Sequence, residues 1–152
     1  AFNKKEGTCP KVDLDAEMNL QNLLIGQIEE GRICAAHDLS EGGLLVCLAE
    51  MLFDADGLGA SISLPNLGSS GRLDALLFGE SQARAIIAVK PEKCDAVIQA
   101  AINLGVSAHE MGKTDDSSQL KVEVAGTSVI NADVSGLKNA WESAIPKHME
   151  IA

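Results

Sequence analysis

From Asp13 onward, large apolar residues recur at helical spacing: Leu14, Met18, Ile25 and Ile28, with Gln21 on the same stripe. This periodicity predicts an amphipathic helix with Asp13 as N-cap, Asp15 and Glu17 in its first turns, and Gly31 at its end. A short apolar run at 33–36 then predicts a short strand. A polar stretch follows, His37-Asp38-Leu39-Ser40-Glu41-Gly42-Gly43, and after it Leu44, Leu45, Cys47, Leu48, Met51 and Leu52 predict a second helix to about Phe53. Ser40 is the expected N-cap, since its hydroxyl can accept from free first-turn amides, and Glu41 suits the positive end of the helix dipole. A helical glycine costs about 1 kcal/mol relative to alanine. Gly42 and Gly43 together therefore imply a close approach to the backbone, by another chain segment or by a ligand anion at the helix start.

Residues 54–57 read as a turn. The alternation of Leu58, Ala60, Ile62 and Leu64 reads as a strand, and 65–71 as an in-domain loop of small residues. A short helix at 73–78 leads through Gly79-Glu80-Ser81-Gln82-Ala83-Arg84 into a strand at 85–89. Pro91 opens a helix to about Leu104, which Gly105 ends. Strands are predicted at 106–111, 120–124 and 127–130, the last two joined as a hairpin at Ala125-Gly126. A terminal helix at 136–144 carries Trp141 and is expected to stop at Pro146. This mixed order predicts an α+β fold, a mixed β-sheet packed with helices. Residues 1–11 form an irregular lead-in to a single domain over 12–152, expected to be a fragment of a longer chain.

Composition narrows the function. The chain has 152 residues, 46% of them hydrophobic and 3% aromatic, with no Tyr and a single Trp, so aliphatic packing must build the core. A formal charge of −10 without basic clusters argues against nucleic acid and against anionic membrane surfaces. It leaves room for a small phosphorylated ligand held by backbone amides and one or two cations. Cys9, Cys34, Cys47 and Cys94 show no CxxC or CxxH spacing, which points to free thiols in a reducing, cytoplasmic compartment. Cys34 and Cys47, lying in apolar runs, are expected to behave as small buried hydrophobes. No apolar run is long enough to span a membrane.

Few residues suggest chemistry. His37, Asp38 and Glu41 diverge around a turn, and His37, His109 and His148 share no ligand spacing with any Cys, so no transition-metal site is expected. Asp38 or Glu80 could share a Mg²⁺ with a phosphate ligand. Neither Ser40 nor Ser81 lies in a nucleophile motif. Glu80, Ser81 and Gln82, three side chains of different donor and acceptor capacity at a strand entrance, either converge on a ligand or form a solvated turn. Arg84 is either a phosphate contact or an ion-pair partner of Glu80.

Four stretches in fixed order, AAHDLSEGGLLVCLAEM, GLGASISLP, LLFGESQARAIIAV and WESAIP, carry a resemblance across about residues 12–147. The sequence resembles the C-terminal domain of the second repeat of the phosphoribosylformylglycinamidine synthases, within the aminoimidazole ribonucleotide synthetase superfamily. Glu41 stands where Asp is common in the motif. The resemblance implies an ATP-, Mg²⁺- and glutamine-dependent ligase of de novo purine biosynthesis, converting formylglycinamide ribonucleotide to its amidine. It implies that ATP and Mg²⁺ are held mostly by a preceding nucleotide-binding domain, that the fragment binds neither tightly, and that alone it is inactive. The implied partners are the N-terminal nucleotide-binding domains, a glutaminase domain or subunit, and a small-molecule nucleotide. Glu80, Ser81, Gln82 and Arg84 would then line a substrate or auxiliary nucleotide pocket. His37, Asp38, Ser40, Glu41, Gly42 and Gly43 would form a helix N-terminus packed at a domain junction. No residue of the chain is expected to be catalytic. The alternatives are a stand-alone nucleotide-binding or scaffolding module, or a related ATP-using enzyme of the superfamily.

Overall fold

A computed structural model describes residues 11–55, 57–66 and 71–149. The expected lead-in up to residue 10, with Cys9, lies outside the described residues, as do Asp56 of the predicted turn and 67–70 of the predicted loop. The elements run α1 (Leu14–Glu29), β1 (Ile33–Asp38), α2 (Gly43–Phe53), β2 (Gly59–Leu64), α3 (Leu73–Phe78) and β3 (Ala85–Val89), then a 3₁₀ turn (Pro91–Lys93), α4 (Cys94–Asn103), β4 (Gly112–Asp115), β5 (Gln119–Val124), β6 (Thr127–Asp133) and α5 (Val134–Met149). The α+β expectation holds. The chain forms two compact units, residues 1–40 with 80–108 and residues 41–79 with 109–152, so each is built from two separate stretches.

In the first unit, Asp13 caps α1, its carboxylate accepting from the amides of Asp15 at 3.1 Å and Ala16 at 3.0 Å. Gly31, at a φ of 63°, ends the helix region as expected. The apolar stripe that marked the helix faces outward: Leu14, Met18, Ile25 and Ile28 are exposed, while Leu23 and Gln27 are buried. At about 100° per residue, Leu23 lies about 180° around the helix from Leu14. The helix is therefore apolar on two opposite faces, and periodicity selected the one with more large residues. Gln27 is tolerated inside because its side-chain oxygen accepts from Arg32 Nη1 at 2.9 Å.

β1 pairs antiparallel with β3 in a two-stranded ribbon. The strand expected at 33–36 is present within β1, but with one neighbouring strand residues 34–36 stay exposed, so Cys34 is not the buried hydrophobe expected. Ile86 of β3, with Val97 and Ala101 of α4, supplies the apolar interior. Pro91 opens the 3₁₀ turn, and the α-helix proper starts three residues later than predicted.

The second unit carries a four-stranded sheet in the order β4-β2-β5-β6, with β2 and β5 parallel and the other pairs antiparallel. Leu120 and Val122 of β5 are fully buried, as befits an inner strand, and Cys47 of α2 is buried as expected. The hairpin at Ala125-Gly126 is present, both residues having positive φ (51° and 75°), the geometry that a two-residue type I′ turn requires. The strand predicted at 106–111 is absent. In its place is the polar edge strand β4, whose backbone approaches β2 so closely that a Cβ on Gly112 would lie 2.2 Å from the Ser61 carbonyl oxygen. An exposed edge strand needs no apolar alternation, which is why its residues did not signal it.

α5 is longer than predicted at both ends and contains Pro146. The amide that Pro146 lacks would have met the carbonyl of Glu142, an exposed residue near the end of the helix, where water can take the bond. At the other end, Asp133 accepts from the Gly136 amide at 2.8 Å and the Ser135 hydroxyl at 2.5 Å. Lys138 donates to the Phe53 carbonyl at the end of α2 and to Asp54 Oδ1, each at 2.9 Å. A cation is thus placed at the negative end of that helix. No helix among the described residues is long and apolar enough to cross a membrane.

Candidate functional site

The two motifs of the sequence meet in each unit. In the first, the β1–β3 register pairs His37 with Ile86 and Asp38 with Ala85. The Leu39 amide then donates to the Arg84 carbonyl at 3.0 Å. The ladder therefore carries the end of the His37-Asp38 stretch to the exit of the Glu80-Ser81-Gln82 loop. His37 is half-buried, and its Nδ1–H donates to the Asp38 carbonyl at 2.7 Å, which assigns the proton to that nitrogen. Asp38 is exposed.

Glu80, Ser81 and Gln82 are exposed and adopt no regular structure. The loop is anchored just after them. Ala83 sits in the left-handed region at a φ of 54°, an uncommon state for a residue with a Cβ. Its amide donates to Glu17 Oε1 of α1 at 2.8 Å. Arg84 Nε donates back to the Ser81 carbonyl at 3.2 Å. Partial burial lowers the pKa of Arg84 from its ordinary value, yet an arginine remains cationic at neutral pH. Glu17 is the contributor that sequence reasoning missed as a site residue. It was placed only as a first-turn acid, and nothing local announces a partner 66 residues away.

In the second unit, the glycine pair meets the end of α3. A Cβ on Gly43 would lie 2.7 Å from the Phe78 carbonyl carbon and 2.8 Å from the Gly79 oxygen, and its φ is 67°. Gly42, at a φ of 79°, is the residue that caps α2. The glycines thus answer to a close chain segment. Ser40 is not the N-cap, because two successive left-handed residues start the helix later than Ser40 would allow. Glu41 lies in the turn before α2, whose first turn contains no acid. His37, Asp38 and Ser40 belong to the first unit, and Glu41, Gly42 and Gly43 to the second.

The second unit also holds a cavity of about 270 Å³, lined by apolar side chains including Val46, Phe53, Phe78 and Trp141. The Phe53 and Trp141 rings sit 5.8 Å apart at a 52° tilt. The indole N–H of Trp141 is the one side-chain hydrogen-bond donor in that lining, and no cation stands there. Among the described residues, no group of three or more His, Cys, Asp or Glu could hold a metal ion.

Comparison with known proteins adds a lineage. Residues 2–125 match the family described as AIR synthase related protein, C-terminal domain. The chain is 37% identical over 145 residues to the phosphoribosylformylglycinamidine synthase subunit PurL of Salinibacter ruber, covering 95% of this chain and 19% of that one. It is 38% identical over 149 residues to the PurL subunit of Caldanaerobacter subterraneus, covering 98% and 20%. It thus spans about a fifth of the length of these relatives. Among solved structures, T. maritima PurL complexed with FGAR superposes with a TM-score of 0.79 at 22% identity, covering 90% of this chain and 23% of that one. T. maritima PurL complexed with ATP gives 0.77 at 23% identity, covering 88% and 23%. These likenesses show a shared fold.

Proposed function

Because this chain belongs to the family of AIR synthase related protein C-terminal domains, we propose that it serves as the C-terminal domain, residues 12–152, of a phosphoribosylformylglycinamidine synthase in de novo purine biosynthesis. The observation that carries this reading is the match to PurL subunits at 37–38% identity over 95–98% of the chain. In such an enzyme, ATP with Mg²⁺ supplies the phosphoryl group that makes the formamide oxygen of formylglycinamide ribonucleotide a leaving group. Ammonia from glutamine replaces that oxygen, giving the amidine. ATP and Mg²⁺ sit mostly on a preceding nucleotide-binding domain in this reading, and a solved neighbour of the same fold is T. maritima PurL complexed with ATP. The remaining partners are a glutaminase domain or subunit, and a solved PurLQS complex from Thermotoga maritima shares this fold. The compartment is cytoplasmic.

This chain's own contribution is to bind and orient. Glu80 offers an acceptor, Ser81 both donor and acceptor, and Gln82 an amide with both, a set that matches ribose hydroxyls and a glycinamide. All three point from an anchored loop. Arg84 steadies that loop through the Ser81 carbonyl and adds a positive charge beside a phosphorylated ligand. Whether the ligand is the substrate or an auxiliary nucleotide is decided by titration. Formylglycinamide ribonucleotide and ADP are each titrated into the longer gene product, wild type and Gln82→Ala. Loss of a ligand contact weakens the true ligand by about tenfold, and unchanged affinity for both would remove the loop from the site. The isolated chain forms no amidine; measurable ATP- and glutamine-dependent product from it would overturn its role as a dependent domain.

A further inference from the structure

The outward stripe of α1 has no role in the function above. Leu14, Met18, Ile25 and Ile28 are 76%, 55%, 57% and 52% exposed. They lie within an arc of about 80° and extend along about 21 Å of helix, with Gln21 among them. Four large aliphatic side chains in one row differ from the scattered apolar residues of an ordinary surface. The helix is already fixed by its opposite face through Leu23 and Gln27, so the stripe is not needed to hold α1 in place.

The charge around the stripe selects its occupant. Residues 13–30 contain five carboxylates (Asp13, Asp15, Glu17, Glu29, Glu30) and no Lys, Arg or His. On the helical wheel Asp15 and Glu29 border one side of the stripe and Asp13 and Glu17 the other; Glu17 is engaged by the Ala83 amide. The nearest arginine, Arg32, is paired with Glu30 and Gln27. A second copy docked here would set carboxylates against carboxylates in either orientation, on a chain whose formal charge is −10. Anionic lipid would meet the same repulsion. We propose that this face of α1 docks an amphipathic helix of a partner protein, apolar along the contact and flanked by lysine or arginine. The apolar rows interlock along the stripe, and the basic flanks meet Asp15, Glu29 and Asp13.

The test uses the longer gene product that contains this chain and a fluorescent peptide of about 18 residues with leucine at helical spacing and lysine elsewhere. A matched peptide carries glutamate in place of lysine. Anisotropy is expected to show the lysine peptide binding at least about tenfold more tightly than the glutamate peptide, with the difference shrinking as salt is raised. Met18→Glu with Ile25→Glu weakens binding by at least about tenfold while the melting temperature holds, since both positions are exposed. Asp15→Lys with Glu29→Lys abolishes the preference for the lysine peptide and leaves the apolar contact. Equal binding of the two peptides, no binding, or full binding by the stripe variant would overturn the proposal. So would a wild-type dimer that the stripe variant dissolves, or capture of the chain by phosphatidylserine vesicles, because each names a different occupant.

Discussion

Glu17 Oε1 accepts the amide of Ala83 at 2.8 Å, joining the first turn of α1 to the loop that ends Glu80-Ser81-Gln82. The bond spans the first unit and holds a residue whose φ of 54° costs energy without support. Glu17→Ala is expected to lower stability by about 1–2 kcal/mol, roughly 3–6 °C in melting temperature for a chain of this length. It should also speed hydrogen exchange at Ala83 above that of β3. Glu17→Gln, which keeps an acceptor oxygen, recovers most of the loss. Equal exchange in wild type and Glu17→Ala would mean that the loop is held by other contacts.

Gly43 tolerates a side chain poorly. Its positive φ and its contacts with the Phe78 and Gly79 backbone act together, so Gly43→Ala is expected to cost more than about 2 kcal/mol. Gly105 has a φ of 68° but open space where a Cβ would go, and Gly105→Ala should cost only about 1 kcal/mol. Urea melts of the two variants separate the clash from the backbone strain.

Lys138 joins α5 to the end of α2. Lys138→Met removes the donor to the Phe53 carbonyl and is expected to cost about 1 kcal/mol. Asp54→Asn, at a nearly fully exposed position, should change stability by less than about 0.5 kcal/mol. If the two substitutions cost the same, the ion pair rather than the helix-end carbonyl carries the contact.

Asp133 supplies the pH dependence. Hydrogen bonds from Ser135 first, and then from the Gly136 amide, hold its carboxyl below the ordinary value of 3.8. A depressed carboxylate stabilises the fold fully above its unfolded pKa, and that contribution is lost as pH falls through the folded value. The difference in melting temperature between wild type and Asp133→Asn should therefore be constant near neutrality and vanish below the ordinary carboxylate range. A difference that persists in strong acid would assign the effect to shape instead of charge.

Much of this architecture was legible. Asp13 and Gly31 bounded α1, the Ala125-Gly126 turn marked a hairpin, and alternation placed Ala60, Ile62 and Leu64 inside β2. Each signal is local, and the residues that make it also satisfy it. The failures share a cause. The orientation of α1 depends on which of two apolar faces the rest of the unit covers, and Leu14 and Leu23 compete on equal terms in one dimension. β4 is specified by its partner strand and not by its own side chains. Ser40 lost the cap to Gly42 because Gly43 had to meet Phe78, a demand arising 35 residues away. The site divides in the same way: Glu80, Ser81, Gln82 and Arg84 stood out by type, whereas Glu17 became visible only through its bond.

The interleaving of the two units also bears on biosynthesis. A ribosome that has released residues 1–79 has released half of each unit and all of neither. The first unit becomes complete only when the chain has passed residue 108, and the second only near the C-terminus, where β5, β6 and α5 arrive together. Until then, β2 lacks both neighbours in its sheet and α2 lacks α5, one of the two helices it packs against. A nascent chain of this kind folds late, and a truncation meant to isolate either unit leaves unpaired edges in both.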